Sequence, residues 1–591
     1  MNAAIPLPAK PAKSPSFVNA WAIIDGVIDR NADYKNAILA QVNTIAASES
    51  IQRAADWACA FEAVYKKVAK YPALRFHLEK QLKQRAKAES LGAACEWFKD
   101  FELKYLRINT STSFMTVESR DGVLRDEAEA MAQRSERMMM EKLAEIKAGG
   151  FDGKYVMKAA ERLALAICNG VGIDLPKVGI IENEKEEMAA LCARLFCPKW
   201  WRRQLRTLQA RKLETAAREL GLVCKRMGGY CSLPTLKRRA GQKRRNEELL
   251  KMMEAENDSG QVFTLDDLAK RGVSNPVIRR NELMTRIRGF EEVAEEIGGW
   301  TPVFFTQTCP SRYHSHNRAG VRYENWDGST PRDAQEYLTD VWAKTRAALA
   351  RADVAVFGFR VAEPHHDGCP HWHSLLWFQS HQVEKAIAIY KAYCMQDTPP
   401  PAGKEEVRFK AMRDELASGA TSYIAKYISK NVDGMTESGE AWSADVVKTA
   451  VRTEAWATTW GIRQFQQIGG ASVTVWREMR RLNGVCPEAG EIESICTAAH
   501  EGNWKQYTLE MGGPVKKLQE RPIRAYMVLK RDEAGEMLKN AYGELTRQLK
   551  GLEAFGWLPI KTRFHEWVVR PVRRGVEVLQ AAHAPPLDLC Q

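Results

Sequence analysis

Between residues 20 and 174, apolar side chains recur at three- and four-residue spacing with few β-branched runs, most clearly in 51–68 and 126–148. This half of the chain therefore reads as helices. The texture changes at Thr301. Residues 301–308 (TPVFFTQT) alternate like a half-buried strand that Cys309-Pro310-Ser311 ends. Residues 331–353 predict a helix, with Pro331 at its start and Tyr337, Leu338, Val341, Trp342, Ala348 and Leu349 along one stripe. Residues 354–363 and 371–378 predict two strands joined by a Pro-His-His-Asp-Gly-Cys-Pro loop, and 381–395 a second helix. The order strand, helix, strand, strand, helix favours an α+β fold, with helices layered on an antiparallel sheet behind a mostly helical first half.

A chain of 591 residues is long enough for several units that each bury a core. We divide it into a disordered tail (1–18), a helical N-terminal domain (19–190), a basic helical region (191–298), an α+β domain (299–484) and a C-terminal mixed region (485–591). Hydrophobic residues make up 45% and charged residues 27%, which excludes wholesale disorder. Residues 1–17 lack the apolar core of a secretory signal, and no stretch has the roughly 18 to 20 apolar residues of a membrane span. A cytoplasmic location without a membrane partner is expected. The 13 cysteines are odd in number and scattered, which fits reduced thiols better than a disulfide framework.

The net charge of +13 points to a polyanionic partner, and its location sharpens the inference. Residues 199–245 hold fifteen Lys and Arg against Glu214 and Glu219, a local net of +13, so the rest of the chain is balanced. The basic positions cluster as Trp200-Trp201-Arg202-Arg203 with Arg206, Arg211 and Lys212, then as Lys237-Arg238-Arg239 with Lys243-Arg244-Arg245. Cations interleaved with aromatics suit a phosphate backbone with stacked bases. The competing reading is a solvated helix face with Trp200 and Trp201 in a core. Concentration of the whole surplus in one run favours DNA. Cys192, Cys197, Cys224 and Cys231 lie in the same region, at spacings looser than usual for zinc ligands. They read either as buried thiols or as a structural Zn²⁺ site.

Six of the 11 histidines fall between His314 and His373. His371 and His373 stand at i and i+2 of a strand, so both imidazoles face one way while Trp372 enters the packing layer. Glu363 ends the preceding strand, and a turn at Asp367-Gly368 brings its carboxylate beside them. Two histidines and a carboxylate suit Mg²⁺ or Mn²⁺ when phosphate adds oxygens, although imidazole also suits zinc. A lone His-x-His pair is more often structural. Glu363, His365 and His366 in the same hairpin shift the balance toward a metal. Zinc-water hydrolysis is the competing chemistry, but the chain has no His-Glu-x-x-His or deaminase-type cysteine motif.

Residues 423–431 (YIAKYISKN) read as a short helix, with Thr421 or Ser422 a suitable N-cap. Tyr423 and Tyr427 then share a face, beside a cationic stripe of Lys426 and Lys430. Tyrosines at this spacing are usually core, but cationic neighbours suit phosphate better. A phenol with a pKa near 10 is a poor nucleophile until its oxyanion is stabilised, which a metal and a lysine can do electrostatically.

FFTQTCPSRYH (304–314), EPHHDGCPHWHSLLWF (363–378) and YIAKYISKN (423–431) together resemble the HUH endonucleases, whose His-hydrophobic-His metal hairpin precedes a tyrosine helix. More narrowly, the chain resembles the replication gene A proteins of tailed temperate phages and prophages, from about Trp200 through RQFQQIGGASVTVWREMRRL (463–482). The resemblance implies that His371 and His373 are metal ligands, with Glu363 as third and His365 or His366 as alternatives. It implies that Tyr423 and Tyr427 are nucleophiles that nick origin DNA, leaving a 5′-phosphotyrosine and a 3′-OH for a host polymerase in rolling-circle replication. The second tyrosine would serve strand rejoining. No Gly-x-x-x-x-Gly-Lys-[Ser/Thr] loop occurs, so a host helicase is expected to unwind the DNA. A non-catalytic origin-binding protein, and a transposase or relaxase of the same chemistry, are the alternative readings.

Overall fold

Segments of three- and four-residue apolar spacing become helices through the first third of the chain, and the alternating segments pair as strands. The structure, a computed structural model, describes residues 15–110, 114–150, 153–413, 416, 419–433, 435, 444–485 and 490–572. It divides into two compact units, one of Met1–Lys177 and Glu187–Leu220, the other of Val178–Glu186 and Gly221–Gln591. The basic run of residues 199–245 is therefore shared between them.

In the first unit, helices follow one another from Pro15–Arg30 to Pro198–Glu219, with one short antiparallel pair, Arg107–Asn109 and Phe114–Thr116, between them. The tail expected over residues 1–18 overlaps the first helix, and residues 1–14 lie outside the described residues. Helix Pro198–Glu219 packs against helix Asp121–Ala148. Its buried seam is Trp201, Leu205, Gln209 and Leu213, a strict four-residue stripe running through the cationic positions.

The second unit is built on a five-stranded antiparallel sheet. Its strands are β1 (Trp300–Thr308), β2 (Phe357–Pro364), β3 (Pro370–Gln379), β4 (Phe409–Met412) and β5 (Phe465–Ile468), in the spatial order β4-β1-β3-β2-β5. Strand β2 begins at Phe357 rather than residue 354. Strands β2 and β3 approach closely at Gly358, where a Cβ would lie 2.1 Å from the Leu375 carbonyl oxygen. Only glycine fits there.

Helices cover both faces of the sheet. On one face, Phe304, Phe359, Leu375 and Trp377 pack with Ile287 and Phe290 of helix Pro276–Ile297 and with Ile424 and Ile428 of helix Ala420–Val432. On the other, Phe305, Trp372 and Phe378 pack with Leu338 and Trp342 of helix Pro331–Arg351, Tyr390 of helix Val383–Cys394 and Trp456 of helix Ala444–Trp460. This is the expected α+β architecture, with one layer more than the element order alone required. Ile523, Leu552 and Ile560 join the core of the first face, so part of the C-terminal region is built into this unit. That region's sheet consists of Ile523–Leu529, Arg547–Ala554 and Leu558–Lys561, while residues 573–591 lie outside the described residues.

Candidate functional site

The site grows from the strand register. Glu363 stands directly opposite His371, and His373 opposite Val361 on one side and Thr306 on the other. Alternation puts Glu363, His371, His373 and Thr306 on one face. Trp372 points the opposite way, buried, its indole N–H donating to Gln335 Oε1 at 3.1 Å. The turn between β2 and β3 is closed by His365 N–H to Cys369 O (2.7 Å) and Gly368 N–H to His365 O (2.9 Å). Gly368 has φ +81°, and the buried Asp367 carboxylate accepts from the Cys369 and Ser315 N–H groups. The sequence Asp-Gly thus fixes the turn that aligns Glu363 with His371.

Among the described residues, Glu363, His371 and His373 form the one set of three potential metal ligands, their donor atoms all within 4.8 Å of one another. Glu363 Oε2 lies 3.5 Å from His373 Nε2 and 3.7 Å from His371 Nε2. His373 Nδ1 is 3.2 Å from Thr306 Oγ1. Neither His365 nor His366 belongs to the set. The His365 ring packs 4.1 Å from that of His371, and His366 Nε2 is 3.1 Å from the His316 carbonyl. Burial pushes the His371 imidazole well below its usual pKa, and the neighbouring His365, His373 and Lys430 add to the shift. His371 is therefore the neutral form that a metal needs. Burial would raise the Glu363 carboxyl, but contact with His373, the charge of Lys430 and the Asn431 amide outweigh it and hold the group below its usual range.

The tyrosine helix, Ala420–Val432, lies over this face. The Tyr427 ring is 4.2 Å from the His373 ring and stacks on Phe304 at 5.5 Å. Tyr423 is one turn back, its ring 4.6 Å from Phe304 and its hydroxyl beside Met412 Sδ. Lys426 Nζ lies 5.4 Å from the Tyr423 ring and 5.8 Å from the Tyr427 ring, and Lys430 Nζ is 3.8 Å from Glu363 Oε2. Burial raises the Tyr427 phenol far above its usual pKa, with Tyr423 and Glu363 nearby adding to the effect.

The helix is held at both ends by helix Pro276–Ile297. Neither Thr421 nor Ser422 is its N-cap. That position is Gly419, which offers no side chain, and the Glu291 carboxylate accepts instead from the Ala420 (2.6 Å) and Thr421 (3.3 Å) N–H groups. At the other end Arg280 donates to Asp433 at 2.6 Å. Asn431 is buried, its amide donating to Glu363 Oε1 and to the Tyr427 carbonyl. Residue patterns could not reveal Glu291, Arg280 or Thr306, because each acts on a partner 67 to 153 residues away in another element. Lys410 was also missed; register puts it opposite Thr306 on the site face at the exposed sheet edge.

The basic run divides into two kinds of position. Trp200 and Trp201 are buried against each other with ring centres 4.9 Å apart, and the Trp201 indole N–H donates to Leu195 O at 2.7 Å. They are core residues, which corrects the expectation that they stack on bases. Arg202 and Arg206 both pair with Asp121, Arg206 Nε at 2.8 Å, and Lys212 donates to the Arg107 carbonyl at 2.7 Å. Arg203 is exposed on the same helix. In the second unit, helix Leu233–Lys251 carries Arg239 and Lys243, whose cations meet Glu454 at 2.6 and 3.2 Å, together with half-buried Arg238 and exposed Lys237, Arg244 and Arg245. The four cysteines do not gather into a zinc site among the described residues. Cys192 and Cys197 belong to the first unit and Cys224 and Cys231 to the second, where both are buried. The Cys231 thiol lies 3.5 Å from the Arg452 carbonyl.

The site is thus an antiparallel sheet with a His-x-His strand facing a carboxylate, packed beneath a helix with two tyrosines. A family model for the bacteriophage replication gene A protein (GPA) matches residues 124–435, and the chain belongs to that family. It is 39% identical over 420 residues to the Replication gene A protein of Escherichia phage 186, which covers 68% of this chain and 59% of that protein. It is 35% identical over 417 residues to the Replication protein of Haemophilus phage HP1, covering 68% and 52%. It is also 32% identical over 413 residues to a "Probable replication endonuclease from prophage-like region 1" of Salmonella typhi, covering 66% and 50%. The chain thus spans between half and two thirds of the length of these relatives. No solved structure matches it. Among the described residues, no helix is long and apolar enough to cross a membrane.

Proposed function

We propose that this chain is a replication initiation endonuclease of the HUH type. It nicks one strand of single-stranded or locally melted phage or prophage origin DNA and starts rolling-circle replication. The observation that carries the reading is the convergence of Glu363, His371 and His373 directly beneath Tyr427. The names of the relatives, replication protein and probable replication endonuclease, support the same class of activity.

The residues fit a divalent cation. A neutral buried imidazole on His371, a second on His373 oriented by Thr306 and the Glu363 carboxylate oriented by Asn431 would hold it. Mg²⁺ or Mn²⁺ suits this mixed donor set once DNA adds phosphate oxygens. When bound, the cation polarises the scissile phosphate. The tyrosine oxygen bonds to phosphorus, the bond from phosphorus to the 3′ oxygen breaks, and the phenol proton is replaced by one on the released 3′-OH. A phenol is protonated at neutral pH and burial pushes the Tyr427 pKa higher still, so its reactivity would depend on the charge of Lys426 near its ring and of Lys430 beside Glu363. The adduct keeps the phosphodiester energy, so a 3′-OH can displace the tyrosine and reseal the strand. Tyr423, one helical turn away, provides a second transfer. The exposed cations of helix Leu233–Lys251 hold the DNA backbone, a host polymerase extends the 3′-OH, and a host helicase opens the duplex.

The test uses the full chain, labelled single-stranded origin DNA and Mn²⁺ or Mg²⁺. An adduct that survives denaturing gels is expected, and it should vanish with EDTA or in the Tyr423→Phe/Tyr427→Phe double variant. An adduct that persists in either case would rule out this mechanism.

A further inference from the structure

We propose that Asn431 is a positioning residue that ties the nucleophile helix to the metal-ligand carboxylate and leaves Glu363 one oxygen, Oε2, for the cation. The inference rests on the reading of Glu363, His371 and His373 as the metal ligands.

Asn431 is 2% exposed and sits one turn after Tyr427, two after Tyr423, on the same face of the helix. Its amide nitrogen meets two acceptors, Glu363 Oε1 and, at 2.5 Å, the Tyr427 carbonyl. Since a carboxylate and a carbonyl accept only, the amide is fixed with its NH₂ group inward and both of its hydrogens in use. One bond reaches the backbone of the nucleophile itself. The other holds one of the two carboxylate oxygens.

The remaining oxygen faces the chemistry. Oε2 is the Glu363 atom that lies 3.5 Å from His373 Nε2, 3.7 Å from His371 Nε2 and 3.8 Å from Lys430 Nζ. With Oε1 engaged, each of the three protein ligands offers one atom, and coordination positions stay open for phosphate oxygens. The same amide sets how far the Tyr427 backbone stands from that carboxylate. Glu291 and Arg280 hold the two ends of the helix, and Asn431 ties its middle, at the nucleophile, to the carboxylate.

The test titrates Mn²⁺ into the full chain without DNA and follows free Mn²⁺ by electron paramagnetic resonance, alongside the rate of adduct formation at each Mn²⁺ concentration. Asn431→Ala is expected to weaken Mn²⁺ binding roughly 10- to 100-fold and to move the Mn²⁺ dependence of the adduct rate in parallel. In a Glu363→Ala background the same change is expected to leave Mn²⁺ affinity within about twofold, since the amide would have no carboxylate left to orient. Far-ultraviolet circular dichroism checks folding. If Asn431→Ala does not fold, Asn431→Ser, too short to reach Glu363, carries the same expectation. Wild-type Mn²⁺ affinity in a folded variant, or an equal loss with and without Glu363, would overturn the proposal. Retained Mn²⁺ binding in both His371→Ala and His373→Ala would overturn the metal-site reading beneath it, and loss in those two with none in Asn431→Ala would overturn this inference alone.

Discussion

The β2-β3 hairpin with its tyrosine helix and the basic run of residues 199–245 are both dense in polar side chains, but they dispose of them in opposite ways. At the hairpin the polar groups are inside. Glu363, His373 and Asn431 are nearly inaccessible, and each is matched to a particular atom of another element. Along the first half of helix Pro198–Glu219 the seam of Trp201 and Leu205 is inside and the cations Lys199, Arg202, Arg203 and Arg206 are at the surface, two of them neutralised by Asp121, while toward its end the helix buries Arg218 together with Glu214. The comparison teaches that surplus charge does not locate chemistry. Buried polar atoms demand partners, so their positions are specified closely, whereas a surface cation tolerates many arrangements.

The strongest way to break that contrast is at Trp201. If it is a core residue, Trp201→Ala removes a fully buried indole and should cost about 3–5 kcal/mol of stability. The denaturant midpoint should fall, while DNA affinity per folded molecule and its salt dependence stay unchanged. Weaker DNA binding at wild-type stability would return Trp201 to the interface and dissolve the distinction.

This contrast also explains what could be read from residues alone. Glu363 and His373 lie on the two strands of one hairpin, so period-two alternation and an Asp-Gly turn were enough to bring them together. The spacing of Tyr423 and Tyr427 likewise implied a shared helical face. Helix Pro198–Glu219 was misjudged at Trp200 and Trp201 because the cationic flanks masked the 201, 205, 209, 213 stripe, although that signal was present. The strands β4 and β5 have four residues each, too few for a periodic pattern. The N-terminus of the tyrosine helix was misassigned for a different reason, since its cap comes from Glu291, 129 residues earlier. No local motif encodes a partner at that distance.

Glu291 sharpens the comparison on the hairpin side. Its carboxylate replaces the missing side-chain cap of Gly419 and lies at the positive end of the helix that presents both tyrosines. Glu291→Ala should cost about 1–2 kcal/mol in thermal or denaturant unfolding. It should also slow adduct formation at saturating Mn²⁺ while leaving Mn²⁺ affinity unchanged, because Glu291 touches the helix and not the ligand set. An unchanged unfolding midpoint would show that apolar packing alone fixes that end.

The smallest effect expected lies within the basic run, where its two helices can be set against each other. Lys237, Arg244 and Arg245 are exposed on helix Leu233–Lys251, whereas Arg202 and Arg206 share Asp121. Each cation that no longer neutralises a phosphate of a single strand should reduce the slope of log affinity against log salt by about 0.7. The triple variant Lys237→Ala/Arg244→Ala/Arg245→Ala should therefore flatten that slope by up to about 2, roughly 0.7 for each of the three cations removed. Arg202→Ala/Arg206→Ala should change it less, because those guanidinium groups are already matched to a carboxylate and release fewer counterions on binding. A larger change from the arginine pair would mean that DNA competes successfully with Asp121, and internal pairing would no longer separate the cations that meet DNA from those that only meet their own chain.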